Sequence, residues 1–270
     1  MEIATTPGIS ASIEMSDVSK TFRNGRRAVQ VLKDIQFDAK PGEFVSVIGP
    51  SGCGKSTLFK LVAGLERADT GTTTINGKPL KQSDHPVAYM PQKDLLLPWR
   101  SVIRNVTMPL EVGGMSKREA VEKARKLFPV FGLEGFEEAY PFTLSGGMRQ
   151  RAALMRTVIQ ERPLMLLDEP FGALDSLTRT EMQEFLLDIW ERFGHTIIFI
   201  THDIREAIYL SDTIYVMTAR PARVRMKVPV DLQRPRKLEV ITTPGFVDLE
   251  AELLHALREE NRQQEAAAVE

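Results

Sequence analysis

The stretch Ile48–Thr57, IGPSGCGKST, has glycine at three positions and then sets a lysine and two hydroxyls in succession. Glycine tolerates positive φ, so such a chain can curl until several N–H groups face one point. The run before it, FVSVI (Phe44–Ile48), is nearly all apolar and reads as a short strand buried on both faces. The run after it, Lys55 to Gly64, sets Leu58, Leu61 and Val62 on one side of a helix. A curled loop between a buried strand and a helix start offers backbone amides and a partial positive charge to an anion. Gly49, Gly54, Lys55 and Ser56 stand in the G-x-x-x-x-G-K-[ST] order of a phosphate-binding loop. Gly49, Pro50, Ser51, Gly52, Cys53, Gly54, Lys55, Ser56 and Thr57 are therefore the first candidate nucleotide contacts. In that reading Lys55 reaches the outer phosphates and the Ser56 hydroxyl ligates Mg²⁺. Cys53 is a small filler within the loop.

Two further stretches carry chemistry. LMLLDEP (Leu164–Pro170) is an apolar strand that ends in two acids. At the end of a neighbouring parallel strand, Asp168 would serve Mg²⁺ and Glu169 would activate the attacking water. LSGGMRQR (Leu144–Arg151) is a second helix start bared by glycines. Ser145, Gly146 and Gly147 there offer a hydroxyl and N–H groups to an anion, or simply cap the helix. One nucleotide has one triphosphate, so a second anion site makes sense if it meets a nucleotide held by another copy.

The chain of 270 residues has ordinary apolar (43%) and charged (26%) content and a net charge of −1. It is long enough to bury a sizeable core, and no global basic field argues for nucleic acid. A single cysteine rules out an intrachain disulfide and fits a reducing compartment. The N-terminal MEIATTPGIS lacks the pattern of a signal peptide, and apolar runs such as TIIFI (Thr196–Ile200) are too short to cross a bilayer. A membrane role would need a membrane-spanning partner.

Residues before about Ile13 are expected to be loose. Ile13 to Phe37 alternates around Asn24-Gly25 and reads as an antiparallel hairpin. Short strands are expected at Thr72–Ile75, Val87–Met90, Leu164–Asp168, Thr196–Ile200 and Thr213–Met217, with helices at Ser116–Phe128, Met148–Gln160 and Thr178–Phe193. Ser116 is a candidate N-cap. Phe246, Leu249, Leu253 and Leu257 mark a late amphipathic helix ahead of a frayed tail. Alternating strand and helix implies an α/β fold with a parallel sheet, preceded by the antiparallel hairpin and interrupted by a helical insert.

With these motifs in order, the chain resembles the ATPase subunit of ATP-binding cassette (ABC) transporters from about Ile13 to Leu257. GPSGCGKST matches the Walker A loop, LSGGMRQR the signature motif and LMLLDEP the Walker B strand. GALD (Gly172–Asp175) matches the D-loop, and THD (Thr201–Asp203) the switch histidine. YMPQKD matches the Q-loop, at Gln92. The resemblance implies a P-loop NTPase, RecA-like core over 13–94 and 161–228, within an ABC domain spanning 13–245. It also implies a helical subdomain over 95–160 and a C-terminal helix and flexible tail over 246–270. It implies ATP and Mg²⁺ as cofactors, with Ser56, Gln92 and Asp168 toward the metal. Glu169, His202, Lys55 and Gln92 would be the catalytic set. Phe22, in VSKTF, would stack on adenine, phenylalanine replacing the commoner tyrosine. Ser145, Gly146 and Gly147 would touch the γ-phosphate held by an opposing copy, with Asp175 at that seam.

The implied partners are a second copy, transmembrane permease subunits that meet DLLLPWR (Asp94–Arg100), and indirectly a solute-binding protein. The implied place is peripheral, at the cytoplasmic face of the plasma membrane. LLLPW, PFGALDSLTR and ARPARV (Ala219–Val224) are similar to nitrate, sulfonate and taurine uptake ATPases. MPQKDLLLPW is also similar to importers of thiamine-precursor pyrimidines or riboflavin. Other classes fit less well. Ribosome-associated relatives carry two cassettes, DNA-repair relatives insert long coiled coils, and no N-K-x-D run reads guanine. His85, His195, His202, His255 and Cys53 lack metal-ligand spacing.

Overall fold

A computed structural model of the protein describes residues 10–25, 27–80 and 87–269. In chain order the elements are β1 (Ile13–Asn24), β2 (Arg27–Ala39), β3 (Phe44–Ile48), α1 (Lys55–Val62), β4 (Thr70–Ile75), β5 (Lys78–Pro79) and β6 (Val87–Met90). Then come α2 (Val102–Val112), α3 (Lys117–Leu127), α4 (Gly146–Val158), β7 (Leu164–Asp168), α5 (Ser176–Phe193), β8 (Thr196–Ile200), α6 (Ile204–Leu210), β9 (Thr213–Met217), β10 (Val224–Pro229) and α7 (Pro244–Val269).

Strands β3, β7, β8 and β9 are buried along their whole length. They read as continuous apolar runs because helices or a second sheet cover both faces. With β6 they form a parallel sheet in the order β9-β3-β8-β7-β6, which β10 extends antiparallel beyond β9. The period of two sorts each strand between two cores. Phe44, Ile48, Leu167, Phe199 and Val216 enter one apolar cluster with α2 and α4 to α7. Val45, Val47, Leu166, Ile200 and Met217 enter the other, under α1 and the antiparallel sheet β2-β1-β4-β5. The chain leaves β3 toward α1 on one face, and leaves β7 and β8 toward α5 and α6 on the other. A crevice at the carboxyl ends of β3 and β8 follows from that divergence, the usual place for a ligand in an open α/β sheet.

The expected α/β architecture, hairpin and Ser116 cap are present. Ser116 forms a full capping box with Glu119. Of the segment expected to be loose, residues 1–9 lie outside the described residues, but residues 10–12 are tied down. Ala11 is buried and exchanges two hydrogen bonds with the Thr196 hydroxyl, at 3.2 and 2.7 Å. The late helix runs through Val269, past the expected start of the tail.

Besides the two-residue β5, three elements were not expected. Helix α2 holds Pro109 and β-branched residues at Val102, Ile103, Val106 and Thr107, all poor helix formers. Packing of Val102, Ile103 and Val106 against the shared core overrides that preference. Short α6 is closed by tertiary contact. The Arg236 guanidinium donates to the carbonyls of Ile208, Tyr209 and Ser211 at 3.0, 3.1 and 2.6 Å. Edge strand β10 carries Val224, Met226 and Val228 in alternation with Arg225 and Lys227, the period of two of a half-buried strand.

Phe199 is fully buried and meets Phe44 of β3 and Phe171 of the turn before α5 at ring-centroid distances of 5.8 and 5.9 Å. Phe199→Ala should therefore destabilise the fold by about 3–5 kcal/mol, read from the urea midpoint.

Candidate active site

Register delivers the site residues to one edge. Met90 pairs with Leu167, Asp168 with Ile200, and Ile200 with Val47. Within two residues beyond these pairs stand Gln92, Glu169, His202 and Gly49, all leaving the same carboxyl edge.

In the loop, Gly52 and Gly54 take φ of 71° and 134°, where a side chain would be strained. A Cβ on Gly54 would stand 2.9 Å from both Val31 and Leu32 of β2. A Cβ on Gly49 would stand 3.0 Å from Met217. Glycine is thus needed for curl and for closeness. Lys55 Nζ donates to the Gly49 and Pro50 carbonyls at 2.8 and 3.0 Å. An ammonium has three donors, so one is left for a phosphate oxygen. Burial pushes the Cys53 thiol up, which agrees with a filler role.

Asp168 is buried at the end of β7, where it accepts from the Tyr89 phenol at 3.1 Å and from the Ser56 hydroxyl. Burial raises its pKa more than those bonds lower it. The Tyr89 phenol is pushed up in turn, by its own burial and then by the Asp168 charge. Glu169, next in the chain, holds an uncommon φ of 45°. Its Oε2 accepts from Gln92 Nε2 at 3.0 Å and lies 3.4 Å from His202 Nδ1. Three expected catalytic side chains therefore meet at one carboxylate oxygen, in reach of solvent.

Ser145 and Asp175 lie elsewhere in the chain's own contacts. Ser145 caps α4 by accepting from Met148 N at 3.2 Å, and Asp175 caps α5 by accepting from Thr178 N at 3.1 Å. Thr178 holds the Asp175 carboxyl below its ordinary range. A Cβ on Gly147 would stand 3.0 Å from Thr178 Cγ2, so the two helix starts sit side by side. Phe22 is 37% exposed, with Lys20 Nζ 5.1 Å from its ring centroid. It pairs with Val29, two residues before the Val31 that abuts the phosphate loop.

Sequence reading missed Tyr89, Arg149, Arg156 and Arg220. Only Tyr89 had a usable signal, since it stands three residues before Gln92 on a buried strand. Arg149 and Arg156 project from α4 to Asp94 and to the carbonyls of Asp94 and Leu95. The segment after Gln92 is thereby tied to the helix that begins with the glycine pair.

A family model described as ABC transporter matches residues 32–172. The chain belongs to the ABC transporter family. It is an ATPase of that family with the expected P-loop NTPase fold. An aliphatic sulfonates import ATP-binding protein of Bacillus thuringiensis subsp. konkukian is 40% identical over 90% of this chain and 94% of its own. A formylaminopyrimidine import ATP-binding protein of Halalkalibacterium halodurans is 44% identical over 76% and 80% of the two chains. A dimeric ATP-binding cassette solved in a post-hydrolysis state with ADP and Pi superposes with a TM-score of 0.71 at 29% identity, covering 82% of this chain and all of that one. As an ATPase of that family, the chain binds ATP.

Beside the site, Glu206 is buried and accepts from the Thr201 hydroxyl and, at 2.9 Å, from Gln183 Nε2. Burial raises its pKa above the ordinary 4.5. A carboxyl raised in this sense favours the fold fully below its unfolded value and loses that contribution as pH rises through the folded one. Glu206→Gln should therefore be more stable than wild type near neutral pH, by about 1 kcal/mol. The difference should shrink on acidification toward pH 4.5, compared as urea midpoints across pH.

Proposed function

We propose that this chain is the ATP-hydrolysing subunit of an importer for a small anionic solute of the sulfonate kind. The observation that carries the hydrolytic reading is the meeting of Gln92, Glu169 and His202 at Glu169 Oε2, beside the phosphate loop. The importer reading is supported by the names of relatives that cover nearly the whole chain. The formylaminopyrimidine relative supports a second cargo class, since the subunit does not itself touch the solute.

Two copies sandwich two ATP molecules, in line with the dimeric form of the cassette that superposes on this chain. The loop amides and Lys55 hold the phosphates. Ser145, Gly146 and Gly147 of one copy complete the pocket of the other, with Asp175 at the seam, and Phe22 stacks on adenine. Glu169 orients and deprotonates the attacking water, and Lys55 and His202 stabilise the charge on the transferring phosphoryl group. Gln92 and His202 hold Glu169 in place until nucleotide and partner draw them away. Binding then favours the joined pair and hydrolysis the separated one, a population shift.

Mg²⁺ fits the residues present. The Ser56 hydroxyl and the buried Asp168 carboxylate are hard oxygen donors that already share a hydrogen bond, with Gln92 at the neighbouring strand end. Among the described residues no cluster of three or more His, Cys, Asp or Glu could hold an ion by itself. That suits a cation whose other ligands are phosphate oxygens and water. When bound, Mg²⁺ neutralises phosphate charge.

No helix among the described residues is long and apolar enough to cross a membrane. A permease partner, peripheral attachment at the cytoplasmic face and an associated solute-binding protein complete the proposal. DLLLPWR supports the docking role in part. Leu96 is buried in the core, whereas Leu95 and Trp99 are 57% and 71% exposed. Trp99 and Tyr140 line a cleft of about 430 Å³ together with Arg100, Arg104, Glu111, Lys117 and Glu138, and Tyr140 stacks on exposed Phe142 at 5.6 Å. Exposed aromatics rimmed by charged groups suit an amphipathic helix of a partner. Purification from native membranes should bring down a permease and a binding protein. The binding protein's ligand then decides between sulfonate and pyrimidine, and recovery of neither protein would end the importer reading.

Glu169→Gln should keep ATP binding, lose nearly all turnover and accumulate an ATP-dependent dimer on size exclusion. Substantial ATPase activity would remove Glu169 from its role. Ser145→Arg should leave nucleotide binding by single chains unchanged but prevent that dimer in the Glu169→Gln background. A dimer that forms normally would refute the contact in trans.

A further inference from the structure

Amides of a phosphate loop converge on an anion only if the intervening carbonyls turn away and find donors of their own. Lys55 and the Cys53 amide serve the carbonyls at the start of the loop. The Gly52 carbonyl, in the middle of the curl, is served from outside the motif. Arg220 Nε donates to it at 2.5 Å, and Arg220 Nη2 lies 3.5 Å from where a Cβ on Gly52 would stand.

Arg220 is an exposed side chain on well-anchored backbone. Ala222 is fully buried and tied to β2 by Ala222 N to Val31 O and Lys33 N to Ala222 O, both 2.9 Å. Arg223 N donates to the Thr218 hydroxyl at 2.9 Å, closing the turn between β9 and β10. Ala219 N donates at 3.2 Å to Glu260 Oε2 of α7, and the other Glu260 oxygen accepts from Arg225 at 2.7 Å. The same segment begins at Met217, which meets Gly49 at the opposite end of the loop. A long cationic side chain usually loses much entropy when ordered. Here three elements fix the backbone that presents it, so only the rotamers of the side chain itself remain to be ordered.

We propose that Arg220 is a positioning residue of the phosphate loop. By holding the Gly52 carbonyl outward it fixes the direction of the loop amides, and its charge adds to that of Lys55 at the nucleotide's phosphates. The inference rests on the reading of Gly49–Thr57 as the nucleotide-binding loop, and it assigns Arg220 a role outside the motif itself.

The test is a titration of the full-length chain with a fluorescent ADP analogue, with Lys55→Ala as reference. Wild type should bind and Lys55→Ala should not. Failure of either result overturns the loop reading, and the inference with it. If both hold, Arg220→Ala should weaken binding by about tenfold, the scale of one charge-assisted hydrogen bond. Its kcat at saturating ATP should fall by less than its affinity does. Arg220→Lys, which keeps charge and a donor, should lie between the two. Arg220→Ala should unfold thermally near the wild-type temperature without nucleotide, but gain less on adding ADP. The proposal is overturned if Arg220→Ala binds within about twofold of wild type, where no hydrogen bond's worth of affinity is missing. It is equally overturned if kcat falls with affinity intact, or if Arg220→Lys binds no better than Arg220→Ala.

Discussion

The structure turns on backbone amides that must point inward together. Peptide N–H groups repel one another when aimed at one place, so the loop between β3 and α1 needs outside support. Carbonyls at its back are taken by Lys55 and Arg220. Its flank lies against Val31 and Leu32, and its first glycine against Met217. Those contacts come from β2 and β9, which are distant in sequence. The antiparallel sheet and the end of the parallel sheet therefore act as walls of the loop, and Gly54 is glycine partly because β2 leaves no room for more.

A second junction is the carboxylate of Glu169. It follows β7, and the chain leaving β6 and β8 brings one side chain each to it, because the register ends these strands at the same height. Gln92 opens the segment that leads to Trp99, and Arg149 and Arg156 bind that segment to α4. The start of α4 carries Ser145, Gly146 and Gly147. One connected set of contacts thus runs from the Glu169 carboxylate to the aromatic patch and to the helix start proposed to face another copy.

Much of this was legible from short-range pattern. Buried strands such as TIIFI and LMLLD announce themselves by apolarity, and Ser116 by its cap spacing. The phosphate loop is legible because its chemistry is backbone chemistry, which needs particular glycines at particular intervals. Helix α2 was not legible, since Pro109 and its β-branched neighbours speak against a helix until α3 and α4 are packed on it. Nor was the division within LLLPW, where Leu96 turns inward and Trp99 outward. The apolar run is the same letter by letter, and Asn105 decides the turn by bonding to Leu97, Arg100 and Ser101.

The cassette was read from the family resemblance; local order was enough to expect an α/β fold, a phosphate loop and the two acids at the end of β7, because each follows from residue type and spacing over a few positions. It did not show that Tyr89 would hold Asp168, that Gln92 and His202 would converge on Glu169, or that Arg220 would serve Gly52, 168 positions away. Those pairings depend on strand order and register. Such quantities are set by packing across the whole sheet, and no short window of residues contains them.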